Sequence, residues 1–459
     1  MNRLLENTFG YKGIRLLTPL LDLLIIHGAY MLSFYILKED LENFAVNYNA
    51  YWAILPYIVI AYLIISHVFE LDKPKDFSIF GIGYTVSLVI VLLLAFTMAV
   101  SFFIREFALP RSILLISAAF QVLFISIWHL LTNKIYYESN KRKTVLVIGR
   151  EKSQPLAYKL LESRGMWSQI KHVCAPDHPK VYDYIDECDV TFLTEDVEES
   201  LKQEIVFYCV EKDQILLYQP KNTDILQFNG NIVQIDDSPL LDVRELGLSG
   251  SSESLKRILD VLLSTIALVI FLIPGFIIYL ILKTGGSAFY MQERMTRNNR
   301  IFKIYKFRTM VQDAEAISGP ILASNKDSRI TKLGRILRAT RLDEIPQIYN
   351  ILVGDMSIVG PRPERPVFVE QFAKEIPEYN LRHRVKAGLT GLAQVQGKYN
   401  TTVRDKLKYD LLYINGYSFA LDLKLIMQTM NIILRLSSTE GVKSVTELEE
   451  EVEKLTRRQ

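Results

Sequence analysis

The chain has 459 residues, 49% of them apolar and 11% aromatic, and its 53 Lys and Arg nearly balance 51 Asp and Glu. These values exclude a disordered tail protein and a single small domain, and they indicate two or three domains. The net charge of +2 supplies no overall field for holding nucleic acid, so no nucleic-acid partner is expected. Cys174, Cys188 and Cys209 lack CxxC spacing and are too few for a disulfide framework, so they are interpreted as small buried residues rather than a thiol or zinc site.

Four apolar runs occupy the first third of the chain, and each is long enough to cross about 30 Å of hydrocarbon as a helix. They predict a four-helix transmembrane domain over residues 1–140. Lys and Arg are more frequent before the first run, between the second and third, and after the fourth than in the opposite loops. Both ends of the bundle are therefore predicted to face the cytoplasm. The runs are Leu16–Leu37, Tyr51–Phe69, Phe77–Ile104 and Ile113–Leu131.

Two ionisable residues, Asp22 and His27, lie inside the first run. Ionisable groups within a membrane are often functional. In a tightly packed bundle they can equally form a satisfied interhelical pair, and the sequence leaves both interpretations open.

Residues 141–250 have the composition of a soluble α/β unit. Of the GxGxxG pattern typical of dinucleotide binding only Gly149 remains, and the net charge from Thr144 to Gly250 is −9. We therefore predict a degenerate Rossmann-like module with a spacer, regulatory or oligomerisation role rather than a nucleotide site. Its predicted strands are Thr144–Gly149, Asp189–Leu193 and Gln214–Leu217, with a helix around Leu156–Leu161.

A fifth apolar run, Ile258–Leu282, is predicted to form a re-entrant membrane helix. Pro274 lies past its midpoint, where proline removes a helix hydrogen bond and bends the axis. Basic residues flank both ends, so charge favours neither side of the membrane. A helix that enters the cytoplasmic leaflet, breaks at Pro274 and leaves by the same face satisfies these observations, and a kinked ordinary span is the alternative. Lys256, Arg257 and Asp260 are the predicted interface anchors.

The segment from Lys283 to Glu344 has a net charge of +7 and follows the fifth run directly. Part of this charge could hold anionic lipid headgroups. A guanidinium group can also donate two parallel hydrogen bonds to phosphate oxygens. Phosphate binding is therefore the alternative role for these basic residues. The basic residues include Lys303, Lys306 and Arg308, and then Arg335, Arg338 and Arg341 at every third position.

Asp343 and Glu344 follow these arginines and precede Pro346. Proline is well tolerated in a first helical turn, so Asp343 is a predicted helix start, where the helix dipole would lower its pKa and keep it ionised. Such a carboxylate can attack phosphorus or bind Mg²⁺, and a capping Asp beside a solvated Glu is the alternative. The stiff segment Gly354–Glu364, with Arg362 between two prolines, favours phosphate recognition over a simple rigid turn.

The residues from about Ser254 to Thr429 resemble the bacterial polyprenyl-phosphate hexose-1-phosphate transferases, monotopic-type phosphoglycosyl transferases. The sequence departs from that pattern in two places. The segment Arg294–Arg300 replaces a glycine-rich stretch, and Ala387 replaces a proline. The four amino-terminal spans and the α/β module resemble the longer family members. The matching motifs are Lys256-Arg257 with Asp260, KFRTM ending at Met310, DSRITKLGRILRATRLDEIPQ from Asp327, GDMSIVGPRPE from Gly354, VKAGLTGLAQVQGK from Val385 and KYDLLYI from Lys408.

The resemblance implies a mainly α catalytic domain, 251–437, with a re-entrant helix at 256–283. A charged amphipathic tail helix, 438–459, follows. It indicates packing or self-association, and a homodimer would be one form of self-association. The catalytic domain would face the cytoplasm at the bacterial inner membrane, among membrane lipids. The implied pathway step is the first membrane step of exopolysaccharide, capsule or O-antigen synthesis.

The resemblance also implies a two-step reaction. Asp343 would attack the β-phosphorus of a UDP-sugar and release UMP, and a polyprenyl phosphate such as undecaprenyl phosphate would then take the sugar phosphate from the aspartate. Mg²⁺ is the implied cofactor, held by Asp343 and Glu344, and Glu344 would serve either metal support or proton handling. The implied phosphate-binding residues are Lys306, Arg308, Arg338 and Arg362.

Two other functions stay open from the sequence. A non-catalytic membrane scaffold or regulator of a polysaccharide assembly complex would release no nucleotide. A nucleotide-sugar transferase that builds a glycosidic bond directly would release UDP instead of UMP.

Overall fold

The computed structural model describes residues 9–71, 79–104, 108–139, 143–162, 169–228, 230–243, 246–311, 329–397 and 401–434. The described residues fall into two compact units, one within 9–220 and the other within 221–434. The predicted tail helix and the basic loop between the second and third spans lie outside the described residues.

The first unit begins with four long helices: α1 (Phe9–Ile36), α2 (Phe44–Val68), α3 (Ile79–Phe103) and α4 (Arg111–Ser139). All four are long and apolar enough to cross a membrane, and a fifth such helix occurs in the second unit. Many of their apolar side chains are exposed on the outside of the bundle, where lipid can cover them. The protein is therefore a membrane protein.

A buried polar cluster joins α1, α2 and α4 around Asp22. The hydroxyl of Tyr62 donates to Asp22 Oδ2 at 2.7 Å, and His129 Nε2 lies 3.1 Å from the same oxygen. His27 forms a separate bond of 2.7 Å between its Nδ1 and the hydroxyl of Tyr51. Every one of these bonds connects two different helices, so the structure favours the interhelical-pair interpretation of both residues.

We expect Asp22→Ala to weaken the bundle, because Tyr62 and His129 would lose their buried partner. Hydrogen bonds between membrane helices contribute about 1 to 2 kcal/mol at most, so the free energy of unfolding should fall by about that amount. Thermal melting of the full chain in detergent measures the change. Glu39→Ala, at an exposed loop residue, is the control, and equal melting temperatures for the two variants would contradict the structural role of Asp22.

A parallel sheet in the order β2-β1-β3-β4 completes the first unit. After Thr144, β1 is apolar because both faces of the sheet are covered: Val145 and Val147 pack with α5, whereas Leu146 and Ile148 pack with α6 and α7. All three cysteines are free and buried in this unit, as predicted. The elements are β1 (Thr144–Ile148), α5 (Ser153–Glu162), β2 (Gln169–Cys174), α6 (Val181–Glu187), β3 (Val190–Leu193), α7 (Glu199–Glu211) and β4 (Ile215–Tyr218).

The turn after β1 binds a carboxylate of the chain itself. Asp196 accepts backbone N–H groups from Arg150 at 3.4 Å and from Lys152 at 2.8 Å. A Cβ atom at Gly149 would lie 1.9 Å from Thr194 Oγ1, so this glycine is required by the packing of the neighbouring strand end. The N–H groups that could hold a pyrophosphate at such a turn are therefore already occupied.

The second unit mixes helices with short strands, whereas a mainly α domain was expected. β7 and β8 form an antiparallel hairpin, β5 and β6 form another, and β9 pairs in parallel with β10. Its elements are α8 (Asn222–Gln227), β5 (Asn231–Ile235), β6 (Ser238–Asp242), α9 (Gly250–Lys283), β7 (Phe289–Met295), β8 (Ile301–Phe307), α10 (Lys332–Ala339), α11 (Gln347–Val353), β9 (Met356–Val359), α12 (Pro366–Glu375), β10 (Ala387–Thr390), α13 (Leu392–Gln396), α14 (Val403–Asn415) and α15 (Phe419–Leu434).

The described residues of 221–250, a range that the sequence grouped with the α/β module, fold with the second unit. Ile225 of α8 packs against Leu407 and Leu411 of α14. The side-chain amide of Asn415 also donates to the carbonyl of Ile225 at 2.6 Å. The compact unit therefore begins at residue 221.

α9 is the fifth apolar helix, and few of its residues are buried. Lys256, Asp260 and Ser264 are buried in its first half, and Ile278 and Leu282 are buried near its end. Pro274 lies within the helix, which continues on both sides of it. The apolar side chains between the buried ends are exposed, a surface that needs lipid or a partner to cover it. They include Leu262, Ile266, Val269, Ile270, Leu272, Ile273, Phe276 and Ile277.

Candidate active site

Three cations gather around one oxygen of Glu344. Lys306, on β8, donates from Nζ to Glu344 Oε1 at 2.8 Å, and Arg362 donates from Nη2 to the same oxygen at 3.2 Å. Arg341 Nη1 lies 3.8 Å from it. The structure thus brings together residues that are far apart in the sequence, and it adds Arg341, which the family motif did not assign to the site.

These contacts decide the charge of Glu344. Burial raises the pKa of a carboxyl group, but here the charges of Lys306 and Arg362 lower it more, so the pKa of Glu344 lies well below its usual range. Burial lowers the pKa of Lys306, and the charge of Glu344 opposes that effect. Glu344 is therefore an ionised carboxylate that holds the cations in position.

Asp343 behaves differently from its neighbour. It lies in a 3₁₀ turn, Leu342–Glu344, and the following helix α11 begins only at Gln347. Burial raises the pKa of Asp343 and the charge of Glu344 raises it further, although Lys306, Arg338 and Arg341 oppose the shift. The predicted lowering by a helix dipole was therefore wrong, because Asp343 precedes the helix and sits beside a second carboxylate.

The carboxylate of Asp343 has an oxygen without a partner. Its Oδ1 is buried and makes no hydrogen bond, which is unusual because buried polar groups are nearly always paired. A bound cation or a substrate atom would satisfy it. Among the described residues no group of three or more His, Cys, Asp or Glu could hold a metal ion, but Mg²⁺ often uses only one or two carboxylates together with substrate phosphates. Asp343 and Glu344 fit that use.

Arg338 is placed by the close packing of α10 on the segment after β8. A Cβ atom at Gly334 would lie 2.0 Å from the carbonyl oxygen of Thr309, so only glycine allows this approach. Arg338 then donates from Nε to Thr309 Oγ1 at 2.8 Å. Its charge acts on Asp343 from this position.

Arg308, two residues after Lys306, contacts the end of α9. It donates from Nη2 to the carbonyl oxygen of Leu282 at 3.1 Å, and its Nη1 is buried without a partner. In this structure the residue therefore caps the membrane helix. Its predicted phosphate contact stays a prediction.

The segment that carries Arg362 is held by backbone contacts. The sequence predicted a stiff loop over Gly354–Glu364, and part of it is the strand β9. Gly388 donates from its backbone to the carbonyl of Pro361 at 2.9 Å, and a Cβ at Gly388 would lie 2.1 Å from the nitrogen of Gly360. Arg362 thus projects from a backbone whose position is set by two touching glycine segments.

The residues that replace the family's glycine-rich stretch adopt glycine-like conformations. Asn298 and Asn299 have φ values of 57° and 58°, and asparagine tolerates this left-handed region better than most residues. The amide oxygen of Asn299 also bonds to His383 Nδ1 at 2.6 Å. The turn between β7 and β8 is therefore formed without glycine.

The predicted interface anchors turn their side chains into the second unit. Lys256 Nζ lies 2.5 Å from Asp422 Oδ2 and 3.1 Å from the hydroxyl of Tyr413, in a buried network. Neither partner could be assigned from sequence, although an acidic residue in the apolar stretch of α15 was a signal for Asp422.

Arg257 and Asp260 fasten the same helix to α11 and β9. Arg257 donates to the carbonyl oxygens of Ile351 and Leu352, both at 2.6 Å. Both carbonyls belong to the last turn of α11. Asp260 Oδ1 accepts from Ser357 Oγ at 3.0 Å and from the backbone N–H of Ile358 at 2.9 Å. We call the contacts of Lys256, Arg257 and Asp260 the helix clamp.

We expect Asp422→Asn to destabilise the second unit, because it leaves the buried ammonium of Lys256 without its countercharge. Removing one partner of a buried pair costs about 3 to 5 kcal/mol. Melting of the full chain measures the loss, with Glu370→Gln on the surface of α12 as the control.

The double variant Lys256→Met with Asp422→Leu should recover most of the stability, since no buried charge is left unpaired. A double variant no more stable than Asp422→Asn would contradict the view that the unpaired charge causes the loss.

Comparison with known proteins identifies relatives of the second unit. The family described as bacterial sugar transferase matches residues 251–436. The chain is 47% identical over 131 residues to a protein of Bacillus subtilis (strain 168) named putative undecaprenyl-phosphate N-acetylgalactosaminyl 1-phosphate transferase. That match covers 28% of this chain and 73% of the relative.

Two longer relatives match over less than half of their own lengths. UDP-N-acetylgalactosamine-undecaprenyl-phosphate N-acetylgalactosaminephosphotransferase of Aeromonas hydrophila is 40% identical over 185 residues, which is 39% of this chain and 44% of that protein. UDP-glucose:undecaprenyl-phosphate glucose-1-phosphate transferase of Klebsiella pneumoniae is 37% identical over 225 residues, 47% of this chain and 48% of that protein.

Proposed function

This chain belongs to the bacterial sugar transferase family, and we propose that it transfers a sugar 1-phosphate from a UDP-sugar to a polyprenyl phosphate, releasing UMP. The observation that carries the proposal is the unpartnered oxygen of Asp343 beside cations and close to a membrane helix. The named relatives act on undecaprenyl phosphate, which supports that lipid as the acceptor. The reaction would be the first membrane step in building a surface glycan.

In the first step Asp343 Oδ1 forms a bond to the β-phosphorus of the donor, and the bond from that phosphorus to the oxygen shared with the α-phosphate breaks. UMP leaves with that oxygen, and the sugar phosphate stays on the aspartate. In the second step a phosphate oxygen of the lipid attacks the same phosphorus and the carboxylate is released. Phosphoryl transfer depends mainly on alignment and charge stabilisation.

The basic residues around Glu344 supply that stabilisation. Lys306 and Arg362 already share one oxygen of Glu344, so donor phosphates can approach two cations whose positions are set before binding. Glu344 thus acts as a positioning residue for them. Mg²⁺, held by Asp343 and Glu344, would neutralise charge on the donor pyrophosphate and favour the ionised form of Asp343.

The contacts of α9 support a re-entrant path through the membrane. Arg257 binds the last turn of α11, while a Cβ at Gly275 would lie 3.7 Å from Ile345, just before its first turn. The end of α9 also packs on this unit, where Ile278 and Leu282 share a core cluster with Phe307 and Leu337. Both ends of α9 therefore contact the same unit, which a full crossing of the membrane would not allow. A bend near Pro274 and a return to the same face would allow it and would keep the second unit in the cytoplasm.

We infer that the α/β module does not bind a nucleotide. The carboxylate of Asp196 occupies the N–H groups after β1, and the net charge of the module repels phosphate. Its role is then mechanical or regulatory.

Asp343→Asn should reduce UMP release by about 10⁴-fold or more, because an amide cannot form the acyl phosphate of the proposed intermediate. The assay incubates membranes with a panel of UDP-sugars, Mg²⁺ and undecaprenyl phosphate and identifies the released nucleotide. Glu375→Gln, an exposed carboxylate of α12 changed in the same way, should keep full activity. Full activity in Asp343→Asn would exclude it as the nucleophile, and release of UDP would indicate a direct glycosyl transfer.

The membrane path is tested by thiol labelling of cysteines introduced at Lys38, between the first two spans, and at Lys374 on α12. With Cys174, Cys188 and Cys209 replaced by Ala, an impermeant maleimide should label Lys38→Cys in intact spheroplasts. Lys374→Cys should be labelled only after permeabilisation, since the second unit stays inside. Labelling of Lys374→Cys from outside would mean that α9 crosses the membrane.

A further inference from the structure

A cavity of 490 Å³ lies beside the start of α9, and five basic side chains but only two acidic ones line it. It belongs entirely to the second unit. Two of the basic groups are neutralised by acids: Lys256 pairs with Asp422, and Arg297 pairs with Glu253. The other three basic residues give the cavity its excess of positive charge.

These three cations are Arg257, Arg384 and Lys386. Arg257 donates hydrogen bonds to two carbonyl oxygens, which carry no net charge and leave the charge of the guanidinium unbalanced. Over the described parts of the chain, no ion pair involves Arg384 or Lys386. Asp260 is the remaining acid of the lining, and its Oδ1 is occupied by Ser357 and Ile358.

Two of the cations converge on one point. A Cβ atom at Gly354 would lie 3.5 Å from Arg257 Nη2 and 3.6 Å from Lys386 Nζ. Burial lowers the pKa of Lys386 and the charge of Arg257 lowers it further, while the charges of Asp260 and Glu253 oppose the shift only in part. The arrangement thus holds like charges together, and an anion between them would remove the repulsion.

The cavity is separate from the candidate active site. Arg257 contacts the last turn of α11, whereas Asp343 precedes its first turn. A helix of this length spans about 10 Å, so one phosphate group cannot occupy both places.

The cavity also lies where α9 would enter the membrane. Ile258 is part of its lining and is 65% exposed. Ile258 also begins the apolar run of α9, and the neighbouring Leu255 is 47% exposed. A ligand with a phosphate next to an apolar chain matches this combination of cations and exposed apolar surface, since clustered basic residues at a membrane surface recognise anionic lipid headgroups.

We propose that the cavity beside α9 binds a phosphate group, carried by an anionic phospholipid of the membrane surface. The guanidinium of Arg384 and the ammonium of Lys386 contact the phosphate oxygens. The lipid would hold the start of α9 at headgroup depth. This binding does not depend on the transfer reaction.

The test uses the full chain, purified in detergent and stripped of lipid, with phosphatidylglycerol as the probe. Added phosphatidylglycerol should raise the melting temperature, and phosphatidylcholine should have little effect. The double variant Lys386→Gln with Arg384→Gln should need at least about tenfold more phosphatidylglycerol for the same shift, since two charge-assisted contacts are lost. Lys374→Gln, an exposed lysine of α12, is the matched control.

Inorganic phosphate and UMP are tested in parallel to separate the sources of the phosphate. Either one giving a shift as large as that of phosphatidylglycerol, lost in the same double variant, would overturn the lipid assignment. Equal phosphatidylglycerol dependence in the double variant and in Lys374→Gln would overturn the site itself. A double variant that melts normally without lipid shows that the unit is folded. The single variant Lys386→Arg, which retains both positive charges, should show the same phosphatidylglycerol effect as the unaltered chain.

Discussion

The helix clamp makes α9 part of the second unit. A helix whose middle exposes mainly apolar side chains has no polar contact of its own that fixes its depth or rotation in a membrane. Lys256, Arg257 and Asp260 supply such contacts, because each bonds to a different partner element. The ionic contact with Asp422 is buried, so it is shielded from water and salt. These bonds fix the start of α9 relative to α11, which follows Asp343 in the chain.

The adjacent carboxylates of Asp343 and Glu344 differ in their surroundings and therefore in their pKa values. Glu344 is surrounded by Lys306, Arg362 and Arg341, which hold its pKa well below the usual range. Asp343 is buried, lies beside that charge and keeps one oxygen unpaired, so its pKa is raised. One carboxylate is satisfied and organises the cations, and the other retains the capacity for a new bond. Environments that shift the pKa values of two neighbouring carboxyl groups in opposite directions are typical of active sites.

Internal anions recur in both units. Asp196 fills the backbone N–H groups of the turn after β1, where a nucleotide phosphate could otherwise bind. Glu344 pairs with Lys306 and Arg362. The cavity beside α9 differs, because five basic side chains line it and only two carboxylates, Glu253 and Asp260. The charges of its lining are therefore not balanced.

The sequence alone determined the five apolar helices, the buried strand Thr144–Ile148 and the family motifs around Asp343, because hydrophobic length and dense local motifs are properties of contiguous residues. It did not determine the direction of the pKa shift of Asp343, nor the partners of Lys256, since burial and the approach of distant charges exist only in the folded chain. The strand β9 was missed because its four residues pair only with β10, some thirty positions later. Tertiary structure likewise decided that the basic residues before α9's apolar run face inward, because the carboxylate and carbonyl groups that receive them come from α11 and α15.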